Sequence, residues 1–228
     1  MSIVKFKKEK QKKVKVLSKI ISVIAIIGKI GTCIVAPFIL LGMVFIPLLL
    51  SKIDVKNDTI IVNNKEKIQV LEDENGLTLK YKDEIVLVED NAKNIIEFKE
   101  IMQNNSKGFI IFYIESALVS LLAILVLMFL VFRHIQKLFN NIYKGDTPFT
   151  LDNVTHIKRM AYYLIFVIVV PIVINIIFTA ISKTDLNINF NVTNLLEILF
   201  LFSMAYIFEY GYEIQLDSKG KIYGDENE

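Results

Sequence analysis

Three polar side chains interrupt otherwise apolar stretches of this 228-residue sequence: Glu115, Asn175 and Glu197. If those stretches cross a membrane, a buried charge costs at least about 2.5 kcal/mol, so it usually has a polar partner or serves a function. At helical spacings of three and four, Glu115 has only apolar neighbours, which are Ile111, Phe112, Leu118 and Val119. Its partner must therefore come from another helix.

Two explanations of these residues stay open. Antiparallel crossings would place Glu115 and Asn175 at matching depth, within reach of a direct hydrogen bond, with Glu197 nearer the outer surface. The three could then line an outward-facing cation pocket. In the structural alternative, Glu197 extends to the surface while Glu115 pairs with Asn175 or Lys183.

Three further polar residues form a stripe on the same predicted helix as Glu115. At about 100° per residue, this stripe lies on a different face of the helix from that carboxylate, so it needs its own explanation. Its members also belong to the candidate polar site within the membrane: Tyr113, Ser116 and Ser120.

The residue types on which most enzymes depend are scarce. The only two histidines, His134 and His156, have no metal-binding spacing, and we interpret both as solvated. Cys33 is the only cysteine, so neither an intrachain disulfide nor a cysteine metal cluster can form. No glycine-rich phosphate loop, GxSxG turn or cysteine–histidine pair is present. The sequence predicts a protein without enzymatic activity, cofactor or metal.

The composition indicates membrane helices. Hydrophobic residues make up 54% of the chain and the mean hydropathy is +0.49, above the usual range for soluble domains. A bilayer core about 30 Å thick needs roughly 20 apolar helical residues. Four stretches approach that length: 20–50, which has an amphipathic start, and 109–132, 161–182 and 195–212. The predicted fold is an all-α membrane bundle of four transmembrane helices.

Positive charge sets the predicted orientation of the helices in the membrane. Segment 1–19 carries eight lysines, and the connector 133–160 carries five basic residues. Cytoplasmic loops show such an excess, so both segments and the tail 213–228 are placed in the cytoplasm, with the short loop 183–194 outside. The N-terminal lysines are expected to contact the anionic headgroups of the lipid bilayer and not nucleic acid.

The segment 51–108 is long enough to fold on its own, and its nine lysines against twelve acidic residues place it outside the cell. Four short runs predict an antiparallel β-meander: 58–62, 68–71, 77–81 and 85–88. A helix with Ile95, Phe98 and Met102 on one face follows. We therefore expect a small α+β extracellular insert, a β-meander plus a helix, between the first two crossings.

Small residues in the first crossing predict close helix packing. Gly28, Gly31 and Gly42 would each allow a neighbouring helix to approach. Lys29, which lies among them, is expected to reach the membrane interface with its ammonium group.

The connector is predicted to fold as an elbow. Residues 147–149 after Gly145 are typical of a turn, and Thr150, followed by Asp152 or Asn153, would cap the next helix. The elbow and the end of the fourth crossing together offer a surface for a cytoplasmic partner or for lipid headgroups, with acidic residues expected to pair with basic ones. The candidate contacts are Lys144, Lys158, Arg159, Glu209, Glu213 and Gln215.

Two separated motifs carry a resemblance to a known family. The first reads Leu138-Phe139-Asn140-Asn141-Ile142, then Gly145-Asp146-Thr147-Pro148-Phe149-Thr150, Asn153 and Lys158-Arg159. The second reads Phe208-Glu209-Tyr210-Gly211-Tyr212-Glu213-Ile214-Gln215, with Asp217-Ser218 beyond. From about residue 109 to 218 the chain resembles the bacterial membrane family called domain of unknown function twenty-nine seventy-five. The resemblance implies four membrane helices, no established reaction, and a small Cro-like helix-turn-helix regulator often encoded alongside, whereas the 51–108 insert is larger than usual.

Three hypotheses about function follow. The first is a non-enzymatic sensor or immunity-type protein, in which the outer domain meets a cue and the elbow or tail signals to a cytoplasmic regulator. The second is a small transporter or channel component that uses the intramembrane carboxylates. The third is a scaffold subunit of a membrane complex, held by small-residue helix faces and the exposed edge of the meander.

Overall fold

The computed structural model describes residues 3–56, 59–62, 66–73, 76–81, 84–87, 106–145, 147–182 and 192–224. In these ranges the chain forms four long helices: α1 Ile3–Ser51, α2 Lys107–Lys144, α3 Leu151–Ser182 and α4 Val192–Gly224. Each of the four is long and apolar enough to cross a membrane, and α4 is the least apolar. The chain is therefore a multi-pass membrane protein.

The helices extend well beyond the apolar stretches from which they were predicted. The 49 residues of α1 would extend about 74 Å at about 1.5 Å per residue, more than twice a bilayer core of about 30 Å. The predicted elbow 133–160 is mostly helical: the described non-helical residues between α2 and α3 are Gly145 and 147–150. The last helix, α4, continues through most of the predicted tail. Helix propagation explains the difference, because each added residue gains a backbone hydrogen bond whether or not lipid surrounds it.

Five strands follow α1: β1 Ile53–Lys56, β2 Thr59–Val62, β3 Glu66–Asp73, β4 Gly76–Tyr81 and β5 Glu84–Leu87. They pair in sequence order, each antiparallel to the next, with Ile60 opposite Ile68 and Leu79 opposite Val86. Four of them overlap the runs predicted from the sequence. The predicted helix around Phe98 lies outside the described residues, so the α+β insert and its position outside the cell stay predictions.

The chain divides into two compact units, Phe38–Val119 and the pair of segments Met1–Pro37 with Ser120–Glu228. In the first unit, buried Leu50 and Ile110 join the end of α1 to the start of α2. The Lys107 ammonium there donates to the Ser51 carbonyl oxygen at 3.4 Å. The end of α1 and the start of α2 are thus in contact in this unit.

In the other unit, the prediction of close helix packing is confirmed at Gly28. A Cβ on Gly28 would lie 2.7 Å from the Phe132 ring of α2, so only glycine allows this contact. Among the described residues, no atom lies within 4 Å of a Cβ built on Gly31, and a Cβ on Gly42 of the first unit would approach only Ile46 of its own helix, so close packing at these two stays a prediction. One residue beyond Gly28, the Lys29 ammonium donates to the Gln136 amide oxygen of α2.

Candidate functional site

The link between α2 and α3 is held in place by a core to which three helices contribute. Leu138 of α2, Ile157 and Met160 of α3, and Ala205 of α4 are all buried and pack together. Ala205 is completely inaccessible, so α4 approaches the other two helices closely at this point. The packing fixes where the elbow lies relative to the last helix.

Asn153 is the centre of the elbow, with no part of its surface exposed. Its side-chain NH2 donates to the Pro148 carbonyl oxygen at 2.8 Å, and its amide oxygen accepts from the Asn141 side chain at 3.2 Å. Its backbone N–H donates to the Thr150 hydroxyl oxygen at 3.3 Å, which is the cap expected at the start of α3. Asn153 thus joins α2, the link and α3.

The elbow contacts α4 at a glycine, Gly211. A Cβ on Gly211 would lie 2.6 Å from the Phe149 ring, so this ring rests directly on the α4 backbone. The same ring meets Phe208 edge to face, with 5.4 Å between centroids. One turn further on, the Gln215 amide donates to the Thr147 hydroxyl at 2.6 Å.

The expected charge pairing also forms, through Glu209. The Lys158 ammonium donates to the Glu209 carboxylate at 2.8 Å and lies 5.7 Å from the centre of the Tyr206 ring. Both charged side chains keep 35% of their surface exposed, so the pair orients the helices more than it stabilises them. We call the whole arrangement the elbow cluster: Asn141, Thr147, Phe149, Asn153 and Lys158 with Glu209, Gly211 and Gln215.

The two histidines contradict the prediction that both are solvated. His134 of α2 is only 5% exposed, and its Nδ1 lies 3.0 Å from Nδ1 of His156 on α3. One Nδ1–H must donate to the other, bare nitrogen, so at least one imidazole is neutral while the contact holds. The Tyr163 ring packs beside His134 at 5.6 Å between centroids. The pair is a second link between α2 and α3 that no sequence spacing indicated.

The remaining candidates for partner contact lie at the surface. Lys144, Arg159 and Glu213 are all exposed. They flank the elbow cluster without forming part of its core, so they are the charged groups that a partner could reach.

The intramembrane candidates fall in separately described units. Glu115 is half-buried in unit Phe38–Val119, where the Ser116 hydroxyl donates to the Tyr113 carbonyl oxygen at 2.8 Å. Asn175, in the other unit, accepts from the Thr179 hydroxyl on its own helix at 3.4 Å. In that unit Glu197 is exposed and Ser120 is buried. The Glu115–Asn175 hydrogen bond and the cation pocket stay predictions, and the alternative partner Lys183 lies outside the described residues.

The side chains of the elbow cluster are hydrogen-bonded and packed against one another. Within the described ranges, no group of three or more His, Cys, Asp or Glu side chains is placed to hold a metal ion. Every buried side-chain nitrogen and oxygen in the same part of the chain has a hydrogen-bond partner. The cluster is therefore a satisfied, interlocked structure with charged groups around it.

No family model, no curated protein and no solved structure matches this chain. The resemblance to the domain of unknown function family stays a prediction that rests on the two motifs.

Proposed function

We propose that this chain is a non-enzymatic regulatory protein of the bacterial cell membrane, of the sensor or immunity type. In it the elbow cluster couples the membrane helices to a cytoplasmic partner. The proposal rests on the packing of the Phe149 ring against Gly211, together with the Gln215–Thr147 and Lys158–Glu209 contacts. Because these contacts join the elbow to α4, a movement of α4 would displace the elbow as well.

The same contacts support the proposed family membership. The motif around Thr147 and the motif around Gly211 are far apart in the sequence, yet they meet in one cluster. Shared motifs that touch each other have a physical reason to occur together. In the proposed orientation both ends of the chain are cytoplasmic, and the strand segment β1–β5 belongs to an extracellular α+β domain that meets the cue.

The partner that the resemblance implies is a small helix-turn-helix regulator, and the exposed charges beside the elbow are where it would dock. Arg159 extends from α3 close to the Lys158–Glu209 pair without being needed for the core. Reversing its charge should weaken partner binding without unfolding the protein, because exposed substitutions seldom change stability by more than about 0.5 kcal/mol.

The test is co-purification, in mild detergent, of the full chain with the regulator encoded beside it. We expect Arg159→Glu to reduce the recovered regulator about tenfold, the size expected when one charged contact at an interface is reversed. The matched control is Lys52→Glu. Lys52 is exposed and directly follows the last residue of α1, which the proposed orientation places outside the cell. Equal recovery with the parent and Arg159→Glu, or equal loss in both variants, would contradict the proposal.

A further inference from the structure

A groove of about 630 Å³ lies between the start of α1 and the end of α2. Lys12, Lys15 and Lys19 line it from α1, and Tyr143 lines it from α2. Spacings of three and four residues put the lysines on one face of the helix. Three like charges on one face repel each other, which favours an anion between them.

The lysines of this face have no ion-pairing carboxylate among the residues that the structure describes. In the described part of the chain, no Asp or Glu forms an ion pair with Lys12, Lys15 or Lys19, and Glu9 pairs with Lys13 instead at 3.1 Å. The Lys19 ammonium lies 5.9 Å from the centre of the Tyr143 ring, which orients it by a cation–π contact. The Tyr143 hydroxyl adds a neutral hydrogen-bond donor on the α2 side.

The rest of the groove is apolar, which favours a lipid over a free anion as its ligand. Val16 and Ile20 line the groove beside the lysines and are 52% and 51% exposed. A free phosphate would leave both side chains in water, whereas a lipid covers them with its glycerol and upper acyl chain. From Ile20 the helix continues directly into the apolar stretch of α1, so this face lies where headgroups are found.

One end of the groove is fixed by direct contact between the two helices. Gly28 receives the Phe132 ring, and Lys29 donates to Gln136. These contacts hold α1 beside α2 before the lysines are reached, so the groove does not depend on its ligand to form. A preformed cleft loses less conformational entropy when it binds.

We propose that this lysine groove (Lys12, Lys15, Val16, Lys19, Ile20 and Tyr143) is a binding site for one anionic phospholipid of the inner leaflet. The lysines and the tyrosine hydroxyl bind the phosphate, and Val16 and Ile20 bind the first part of the acyl chain. The site is separate from the elbow cluster and does not rest on the proposed regulatory function.

The test measures phospholipid retained by the full chain after reconstitution with phosphatidylglycerol and re-extraction in mild detergent, by native mass spectrometry. Replacing Lys12, Lys15 and Lys19 together by Gln should reduce the retained phosphatidylglycerol about tenfold, because each lysine near the surface contributes to the attraction. The control replaces Lys5, Lys7 and Lys8 by Gln, which removes the same charge from the same end of the chain. It should retain phosphatidylglycerol within about twofold of the parent.

Two further measurements keep the test decisive. If the triple variant does not fold, Tyr143→Leu alone should still lower retention, whereas Tyr143→Phe should keep most of it through the ring contact with Lys19. Equal loss in the two lysine triples would mean diffuse attraction to the membrane and would overturn the site. Retention of phosphatidylcholine as strongly as phosphatidylglycerol, or full displacement by millimolar inorganic phosphate, would overturn it as well.

Discussion

The elbow cluster and the lysine groove are both rich in polar side chains, but among the described residues only those of the elbow cluster are hydrogen-bonded and ion-paired with one another. In the elbow cluster, Asn153 is fully buried with all its polar groups bonded, and Lys158 has Glu209. In the groove, three lysines share a face that no described carboxylate neutralises. The hydrogen-bonded groups of the elbow cluster fix the fold. The lysines of the groove stay available for the anionic lipid proposed above.

The comparison predicts that the largest loss of stability comes from Asn153. Asn153→Ala would remove a fully buried side chain with both of its hydrogen bonds and leave the Asn141 amide without this acceptor, at a cost of about 3 kcal/mol. Thermal unfolding in detergent measures it. The control Asn194→Ala changes an exposed asparagine and should be nearly neutral. Equal melting temperatures for the two variants would mean that the elbow does not depend on this residue.

A smaller effect is expected at the contact between the elbow and α4. In Gly211→Ala the new methyl would collide with the Phe149 ring, at a cost of about 1–3 kcal/mol. Gly31→Ala is the matched control, because nothing lies within 4 Å of a Cβ there and alanine favours the helix. Combining Gly211→Ala with Phe149→Leu should recover part of the loss. A Gly211→Ala protein as stable as Gly31→Ala would show that the ring is not seated on α4.

The smallest effect belongs to the ion pair of Lys158 with Glu209. Since both side chains are partly exposed, a double-mutant cycle with Lys158→Gln and Glu209→Gln should give a coupling below about 1 kcal/mol. The coupling should fall further in high salt. A coupling that exceeds the loss in Asn153→Ala would reverse the ranking on which the comparison depends.

The features that the sequence predicted correctly depend on hydropathy, on net charge or on neighbouring residues in the sequence. The four helices follow from long apolar stretches, the Thr150 cap from neighbours in the sequence, and the pairing of Glu209 with the basic elbow from opposite charges. The residues that were missed depend on how far each helix is rotated about its axis. The His134–His156 contact and the Lys29–Gln136 bond join residues on different helices, and no periodicity within one helix specifies such a match.

The sequence separations of the contacts at the elbow have a consequence for biosynthesis. Contacts inside the elbow join residues 5 and 12 apart, whereas those to α4 join residues 51 and 68 apart. Short loops close with less entropy lost, so α2, the link and α3 can assemble as one hairpin while α4 is still being translated. Gly211 of α4 then packs against an elbow that has already folded. The order in which the chain leaves the ribosome is thus also the order in which its contacts can form.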